Sequence, residues 1–242
     1  MVSKNQIKLI TSLQQKKYRQ THQLFVAEGV KVIQEFLLSN FVLEHLYCTT
    51  ELFEAVEISK KTLVSEADLK KITSLASANN CLALFQIPTE QQLASNSLIV
   101  ALDAIRDPGN LGAIIRLCDW FGVHQLVCSN ETVDVYNPKV IQATMGSIAR
   151  VSITYVDLPQ YLQQTKLPVY GTFMDGKNVY KEQLPLEGIL VFGNEANGIS
   201  EEVAHHVTNR LAIPRFGTLQ KTESLNVATA TAIFLSEFKR GQ

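Results

Sequence analysis

The segment Ile213-Pro214-Arg215-Phe216-Gly217, followed after a short polar stretch by Glu223-Ser224-Leu225-Asn226-Val227-Ala228, links the last apolar run of the chain to its last helical pattern. It brings together a turn, two side chains able to hydrogen-bond and a helix of small residues. On its own it fits nothing more than a well-capped helix, because Asn is a preferred N-cap residue. Its place is informative: it ends a rhythm of buried strands and helices. Apolar runs predict strands over 98–102, 125–129, 151–156, 169–173, 188–192 and 210–213. Helices are expected over 113–121, 138–149, roughly 158–165, 200–206 and 225–238. Nearly continuous apolar strands separated by helices indicate an α/β fold with a mostly parallel sheet covered on both faces. Ligands of such sheets sit at the carboxyl ends of the strands.

Upstream of this rhythm the pattern is shorter. A helix over 5–15, a strand over 24–27, a helix over 30–38, an extended run over 42–48, short helices over 51–56 and 66–72 and a strand over 81–86 make a small α/β unit. The stretch 88–97 is rich in Pro, Gln, Ser and Asn and is the expected linker, dividing a domain over 1–90 from one over 97–242. The 242 residues and 46% apolar content suffice for such a pair of cores. The net charge of -1 does not announce a nucleic-acid binder, but residues 1–40 carry Lys4, Lys8, Lys16, Lys17, Arg19 and Lys31 against Glu28 and Glu35 alone. That excess can face a phosphate backbone or be a solvated helix face. Cys48, Cys81, Cys118 and Cys128 lie far apart among apolar neighbours, so buried thiols in a reducing cytoplasm are expected and no metal site. No apolar run approaches the 18 residues of a membrane span, and no secretory leader is expected.

Three loops follow predicted strands. Asp107-Pro108-Gly109-Asn110-Leu111-Gly112 reads as a loop ahead of a helix that carries Arg116 among Ile114, Ile115, Leu117, Cys118 and Phe121. Arg116 can pair with an acidic residue at the sheet edge or face a cleft. Gly193-Asn194-Glu195-Ala196-Asn197-Gly198 follows a strand directly, and Glu195 can cap a turn there or present a carboxylate to a ligand. Neither a GxGxxG dinucleotide loop nor a GxxxxGK[ST] phosphate loop is present, so a cofactor would need another geometry.

These residues resemble the three motifs of the SpoU (TrmH-like) branch of the SPOUT RNA methyltransferases: Asn110 to Arg116, Gly193-Asn194-Glu195 to Gly198, and Pro214 through Gly217 to Ser224-Leu225-Asn226. Pro138-Lys139-Val140 through Met145-Gly146-Ser147 is similar to the same family. The stretch with Lys17, Arg19, Phe25, Glu28 and Gly29 resembles the ribosomal-protein-like RNA-binding domain of several rRNA ribose methyltransferases. Two departures stand out: Arg215 occupies a position where methionine is common, and six residues, 218–223, separate Gly217 from Ser224.

The resemblance implies a deep trefoil knot in the C-terminal part, a homodimer, and S-adenosylmethionine as the methyl donor. It implies transfer to a ribose 2'-hydroxyl, a group RNA has and DNA lacks, on 23S ribosomal RNA, with tRNA methylation or noncatalytic RNA binding as alternatives. Catalysis falls to Asn110, Arg116, Glu195, Ser224 and Asn226, with Asn110 orienting Arg116 or the ribose. Because a guanidinium normally stays protonated, Arg116 is expected to stabilise developing alkoxide or hold a phosphate. The donor site is assigned to Thr172, Phe173, Phe192, Gly193, Asn194, Gly198, Ile213, Pro214, Ser224, Leu225 and Ala228. RNA contacts are assigned to Lys16, Lys17, Arg19 and Arg116.

Overall fold

The computed structural model of the chain describes residues 2–75, 79–88, 97–219 and 224–240. Its elements in order are α1 (Lys4–Ser12), α2 (Lys16–His22), β1 (Leu24–Glu28), α3 (Val30–Leu37), β2 (Leu43–Cys48), β3 (Lys61–Leu63), α4 (Glu66–Leu69) and β4 (Cys81–Gln86). There follow β5 (Leu98–Leu102), α5 (Pro108–Trp120), β6 (Gln125–Ser129), α6 (Pro138–Thr144), β7 (Ser152–Val156), α7 (Leu158–Gln164), β8 (Val169–Asn178), β9 (Gly188–Phe192), α8 (Glu201–Ala204), β10 (Asn209–Ala212) and α9 (Val227–Lys239). They form two compact units. One comprises Met1–Thr89 together with Asp134–Arg150, the other Glu90–Val133 with Val151–Gln242. The expected linker at 88–97 lies almost wholly outside the described residues.

In the first unit a four-stranded sheet runs in the order β1-β4-β2-β3, antiparallel except for the β2–β3 pair. α1 starts in a capping box, with the Ser3 hydroxyl accepting from the Gln6 amide and the Gln6 side chain accepting from the Ser3 amide. The helix expected over 51–56 is a turn, entered through Phe53 at φ 55°. After it comes the short strand β3, which three residues of mixed character did not announce. Phe25 packs edge-on against Phe36 at 5.5 Å between ring centroids and lies 4.9 Å from Tyr136. Tyr136 thus brings a late segment of the chain into the core of the early one. The helix expected over 138–149 stops at Thr144, because Met145 (φ 51°) and Gly146 (φ 93°) turn left-handed. A Cβ at Gly146 would come within 2.5 Å of the Glu35 side chain, so this turn requires glycine.

Arg19 is not a surface residue. It is 2% exposed, and its Nε donates to Asp134 Oδ2 at 2.9 Å while Nη2 donates to the same oxygen. Nη1 donates to the Leu13 carbonyl at 2.7 Å. The assignment of Arg19 to RNA contact is therefore corrected: its guanidinium is spent inside the unit, tying Asp134 to α2. Glu28, 4% exposed, likewise serves the interior, accepting from the Thr73 hydroxyl and from the Ser74 amide and hydroxyl at 2.9 and 2.7 Å.

The second unit is built on a six-stranded, wholly parallel sheet in the order β10-β8-β9-β5-β6-β7. β5, β6 and β9 are buried along their whole length, including the polar Gln125 and Ser129 at the ends of β6. From β5 the chain proceeds outward through β6 and β7, then crosses to β8 and β9 on the other flank. The β5–β9 boundary, in register from Leu98↔Gly188 to Leu102↔Phe192, is the place where the winding reverses. The expected loop over 107–112 is instead the start of α5. Asp107 is the N-cap, accepting from the Asn110 amide at 2.8 Å, and Pro108 occupies the first turn, where its missing N–H costs nothing. Proline and glycine suggested a loop; they are a helix start.

All four cysteines are buried and free. Burial pushes the Cys48 thiol up to about 11 and Cys81 up to about 12.

Removing the Arg19 side chain leaves Asp134, 15% exposed, without its partner. Arg19→Ala is expected to cost about 3 kcal/mol of stability, read as a lower urea midpoint; a loss below about 1 kcal/mol would place the pair among weak surface bridges.

Candidate functional site

Two loops meet where the sheet reverses. β9 leads into a tight turn closed by the Asn194 amide donating to the Gly198 carbonyl at 2.9 Å and the Gly198 amide returning to the Asn194 carbonyl at 2.7 Å. Gly198 sits at φ 69°, and a Cβ on Gly193 would run into the Gly198 carbonyl group. Glycine is thus required at Gly193 by the close approach of the backbone and favoured at Gly198 by its left-handed conformation. Asn194 Nδ2 donates to the Ala104 carbonyl at 2.7 Å, pinning this turn to the loop after β5. Buried Asp103 accepts from the Ser200 amide at 2.7 Å and fixes the far side. Glu195 is left at the exposed tip.

A third element reaches Glu195 from the end of the chain. Asn226 is the N-cap of α9: its Oδ1 accepts from the Ala228 and Thr229 amides at 3.0 and 3.2 Å. That settles which way the amide faces, since only the oxygen can accept. Its Nδ2 then donates to Asn110 Oδ1 at 2.9 Å and to Glu195 Oε1 at 3.0 Å. With its oxygen engaged, Asn110 turns Nδ2 to the same Glu195 oxygen, at 2.6 Å. The helix terminus thus orients one amide, that amide orients the second, and both converge on one carboxylate oxygen. Among the described residues nothing donates to Glu195 Oε2. Asn226 is both the cap of its helix and a member of the polar cluster, whereas the turn that carries Glu195 is closed by Asn194, whose Oδ1 accepts from the Ala196 amide at 2.8 Å, and the Glu195 carboxylate faces the two amides instead.

Arg116 does not join this cluster. It lies six residues after Asn110, about 9 Å along α5 and about a third of a turn around it. Its guanidinium is exposed and has no partner among the described residues. The expectation that Asn110 orients Arg116 does not hold within one chain, because the helical twist turns the two side chains apart. Four residues on, along the same side of α5, Trp120 is 84% exposed.

Beside the cluster lies a cavity of about 950 Å³. Thr172, Phe173, Phe192, Gly193, Asn194, Gly198, Ile213, Pro214, Ser224 and Leu225 line it, together with Glu195. Ala228 does not; it is buried on another side of α9, whose cavity face is Val227, Ala230 and Phe234. That spacing of three and four was readable as a helix face. Met174 and Phe216, absent from the donor-site assignment, also line the cavity. Ser224 contributes to the wall without a hydrogen bond to the Asn110–Glu195–Asn226 cluster. In the first unit, Lys16 and Lys17 are exposed on α2, and Lys17 Nζ lies 4.6 Å from the Tyr18 ring centroid. Among the described residues no group of three or more His, Cys, Asp or Glu could hold a metal ion, and no helix is long and apolar enough to cross a membrane.

Comparison with known proteins matches residues 97–236 to the SpoU rRNA Methylase family and residues 4–83 to the MRM3-like substrate binding domain. A 23S rRNA guanosine 2'-O-methyltransferase of Bacillus subtilis is 29% identical over 241 residues, 96% of each chain. A solved structure of a protein of the TrmH family of RNA methyltransferases from Porphyromonas gingivalis is 38% identical, with a TM-score of 0.92 over the whole of both chains. An AdoMet-bound rRNA methyltransferase from Sinorhizobium meliloti is 28% identical, with a TM-score of 0.87 over 99% of this chain and 97% of that one.

The direction of the amide chain is testable through stability. Asn226→Asp keeps the helix cap but sets a second carboxylate against Glu195, which raises the pKa of one of the two. A raised acid destabilises the fold once pH exceeds its unfolded value, so the deficit relative to the parent protein is expected to shrink between pH 7 and pH 5 in urea unfolding. A deficit independent of pH would contradict the contact.

Proposed function

The chain belongs to the SpoU rRNA methylase family, and on that basis we propose that it transfers the methyl group of S-adenosylmethionine to a ribose 2'-hydroxyl of 23S ribosomal RNA. The observation that carries this reading is the Asn110–Glu195–Asn226 cluster at the rim of the 950 Å³ cavity. The cavity is of the size of small-molecule sites, and its lining suits the donor. Phe173, Phe192, Ile213 and Phe234 offer apolar faces to a base and an aliphatic chain, and the turn at Gly193 leaves backbone room that a Cβ would fill. The donor supplies an electrophilic methyl group on a positively charged sulfur.

The protein must bring a weak nucleophile to that cavity, orient it and stabilise the charge that develops. Glu195 has one oxygen held by two amides and the other available as an acceptor. Asn110 and Asn226 make its position part of the fold, so that a ribose at the rim meets a fixed acceptor. Arg116 supplies positive charge for developing alkoxide or for a phosphate. Its separation from the cluster in one chain fits a homodimer in which α5 faces the partner, and the exposed Trp120 beside it is of the residue type that anchors interfaces. The trefoil knot implied by the family belongs to the same reading, as does a cytoplasmic place of action beside the ribosome. On α2, the exposed Lys16 and Lys17 are the residues assigned to RNA, Arg19 being withdrawn into the core.

The test is methyl transfer from labelled donor to unmodified 23S rRNA and, in parallel, to tRNA, followed by alkaline hydrolysis. A 2'-O-methyl group blocks cleavage at its own nucleotide, so label is expected in alkali-resistant dinucleotides from the rRNA. Label on tRNA alone, or on bases, would overturn the proposal; tight RNA binding with no transfer would favour a binding protein. Arg116→Ala is expected to lower transfer on the order of 100-fold with donor binding retained, and turnover near the parent rate would remove Arg116 from the mechanism. Replacing Lys16 and Lys17 by Ala is expected to weaken RNA affinity and flatten its log–log salt dependence by roughly 1.5; an unchanged slope would make them a solvated face.

A further inference from the structure

One wall of the cavity departs from the regular sheet. β8 pairs with β10 at Tyr170↔Asn209 and Gly171↔Arg210, and next at Lys177↔Leu211 and Asn178↔Ala212. β10 advances by one residue while β8 advances by six, so residues 172–176 leave the β10 ladder as an excursion. Thr172, Phe173 and Met174 of this excursion line the cavity. It returns at Gly176, where a Cβ would collide with the Leu211 backbone. A segment without its ladder on that side needs other restraints. Thr172 donates from Oγ1 to the Val191 carbonyl at 3.1 Å, which holds its beginning.

Its middle is held by Arg210. The guanidinium carbon lies 3.5 Å from the centroid of the Phe173 ring, and Nη2 donates to Asp175 Oδ1 at 2.6 Å. The hydrogen bond from Arg210 holds the Asp175 carboxyl below its usual value. The Phe173 ring rests where Gly171 has no side chain, since a Cβ there would stand 2.5 Å from its Cε2 atom. The ring is thus set over Gly171 and covered by a planar cation. Arg210 itself does not line the cavity and lies outside all three loop motifs.

We propose that Arg210 is a positioning residue for the methyl donor: by gripping Phe173 and Asp175 together it holds the 172–176 excursion in the shape that makes it a wall of the donor cavity. The inference rests on the donor site proposed above and adds a residue to it from the outer strand. Its effect should fall on donor affinity and leave the polar cluster at the rim untouched.

The experiment is calorimetric titration of S-adenosylmethionine and S-adenosylhomocysteine into the full chain and its Arg210→Ala, Arg210→Lys and Asp175→Asn variants, with amide hydrogen exchange of residues 172–176 measured without ligand. Arg210→Ala is expected to raise Kd about three- to tenfold, to speed exchange in the excursion, and to raise KM for the donor with kcat retained. Arg210→Lys keeps a cation for Asp175 without a guanidinium over the Phe173 ring and should lie between. Donor affinity within twofold of the parent protein, with exchange unchanged, would overturn the proposal. Should the parent protein bind neither compound, the methyl-transfer reading fails, and exchange in the unliganded variants still decides whether Arg210 holds the wall.

Discussion

The hydrogen bonds of the Asn226 side chain are the constraint on which the site depends. Its oxygen must cap α9, because the first amides of a helix have no partner within it. Its nitrogen must then point away from the helix, toward Asn110 and Glu195. A requirement of local folding is thereby converted into an orientation for two groups that are 116 and 31 residues away in sequence. Preorganisation of this kind lets polar groups act without rearranging during a reaction.

The parallel sheet provides the place for this meeting. Reversal of the winding at β5 and β9 leaves the ends of both strands facing a crevice, and the turn after β9 is closed so tightly that only glycine fits at Gly193. The cavity wall beyond, on β8, is made by abandoning the ladder for five residues. Regular strands fix the floor of the site, and departures from regularity make its walls. The cost of such a departure is a set of restraints from outside the site, which is the part Arg210 plays for Phe173.

Much of this was legible in the sequence where one physical cause dominated. Buried parallel strands show as runs of mostly apolar residues, and the sequence limits 98–102, 125–129 and 188–192 coincide with β5, β6 and β9. Errors arose where the same residue types serve two purposes. Pro108 and Gly109 suggested a loop, yet proline at the first turn is a helix start, with Asp107 as its cap. Met145 and Gly146 divide a periodic helical run because the chain must turn left-handed against Glu35. Arg19 resembled the lysines beside it, since no local pattern reveals that Asp134, 115 residues later, folds against it. The family motifs brought out Asn110, Glu195 and Asn226, but not their mutual hydrogen bonds, nor the turn of α5 that sends Arg116 elsewhere. Arg210 carries no motif at all; its part is visible only once β8 and β10 are seen side by side.

Asn110, Glu195 and Asn226 are joined as one hydrogen-bonded unit, and as one unit they are expected to act in methyl transfer. Groups that work as a unit are non-additive on removal. The direct measurement is a double-mutant cycle on kcat/KM with Asn110→Ala, Asn226→Ala and the double variant. The double variant is expected to be scarcely slower than the worse single one. Losses that multiply would show that the two amides act independently, and would contradict that expectation.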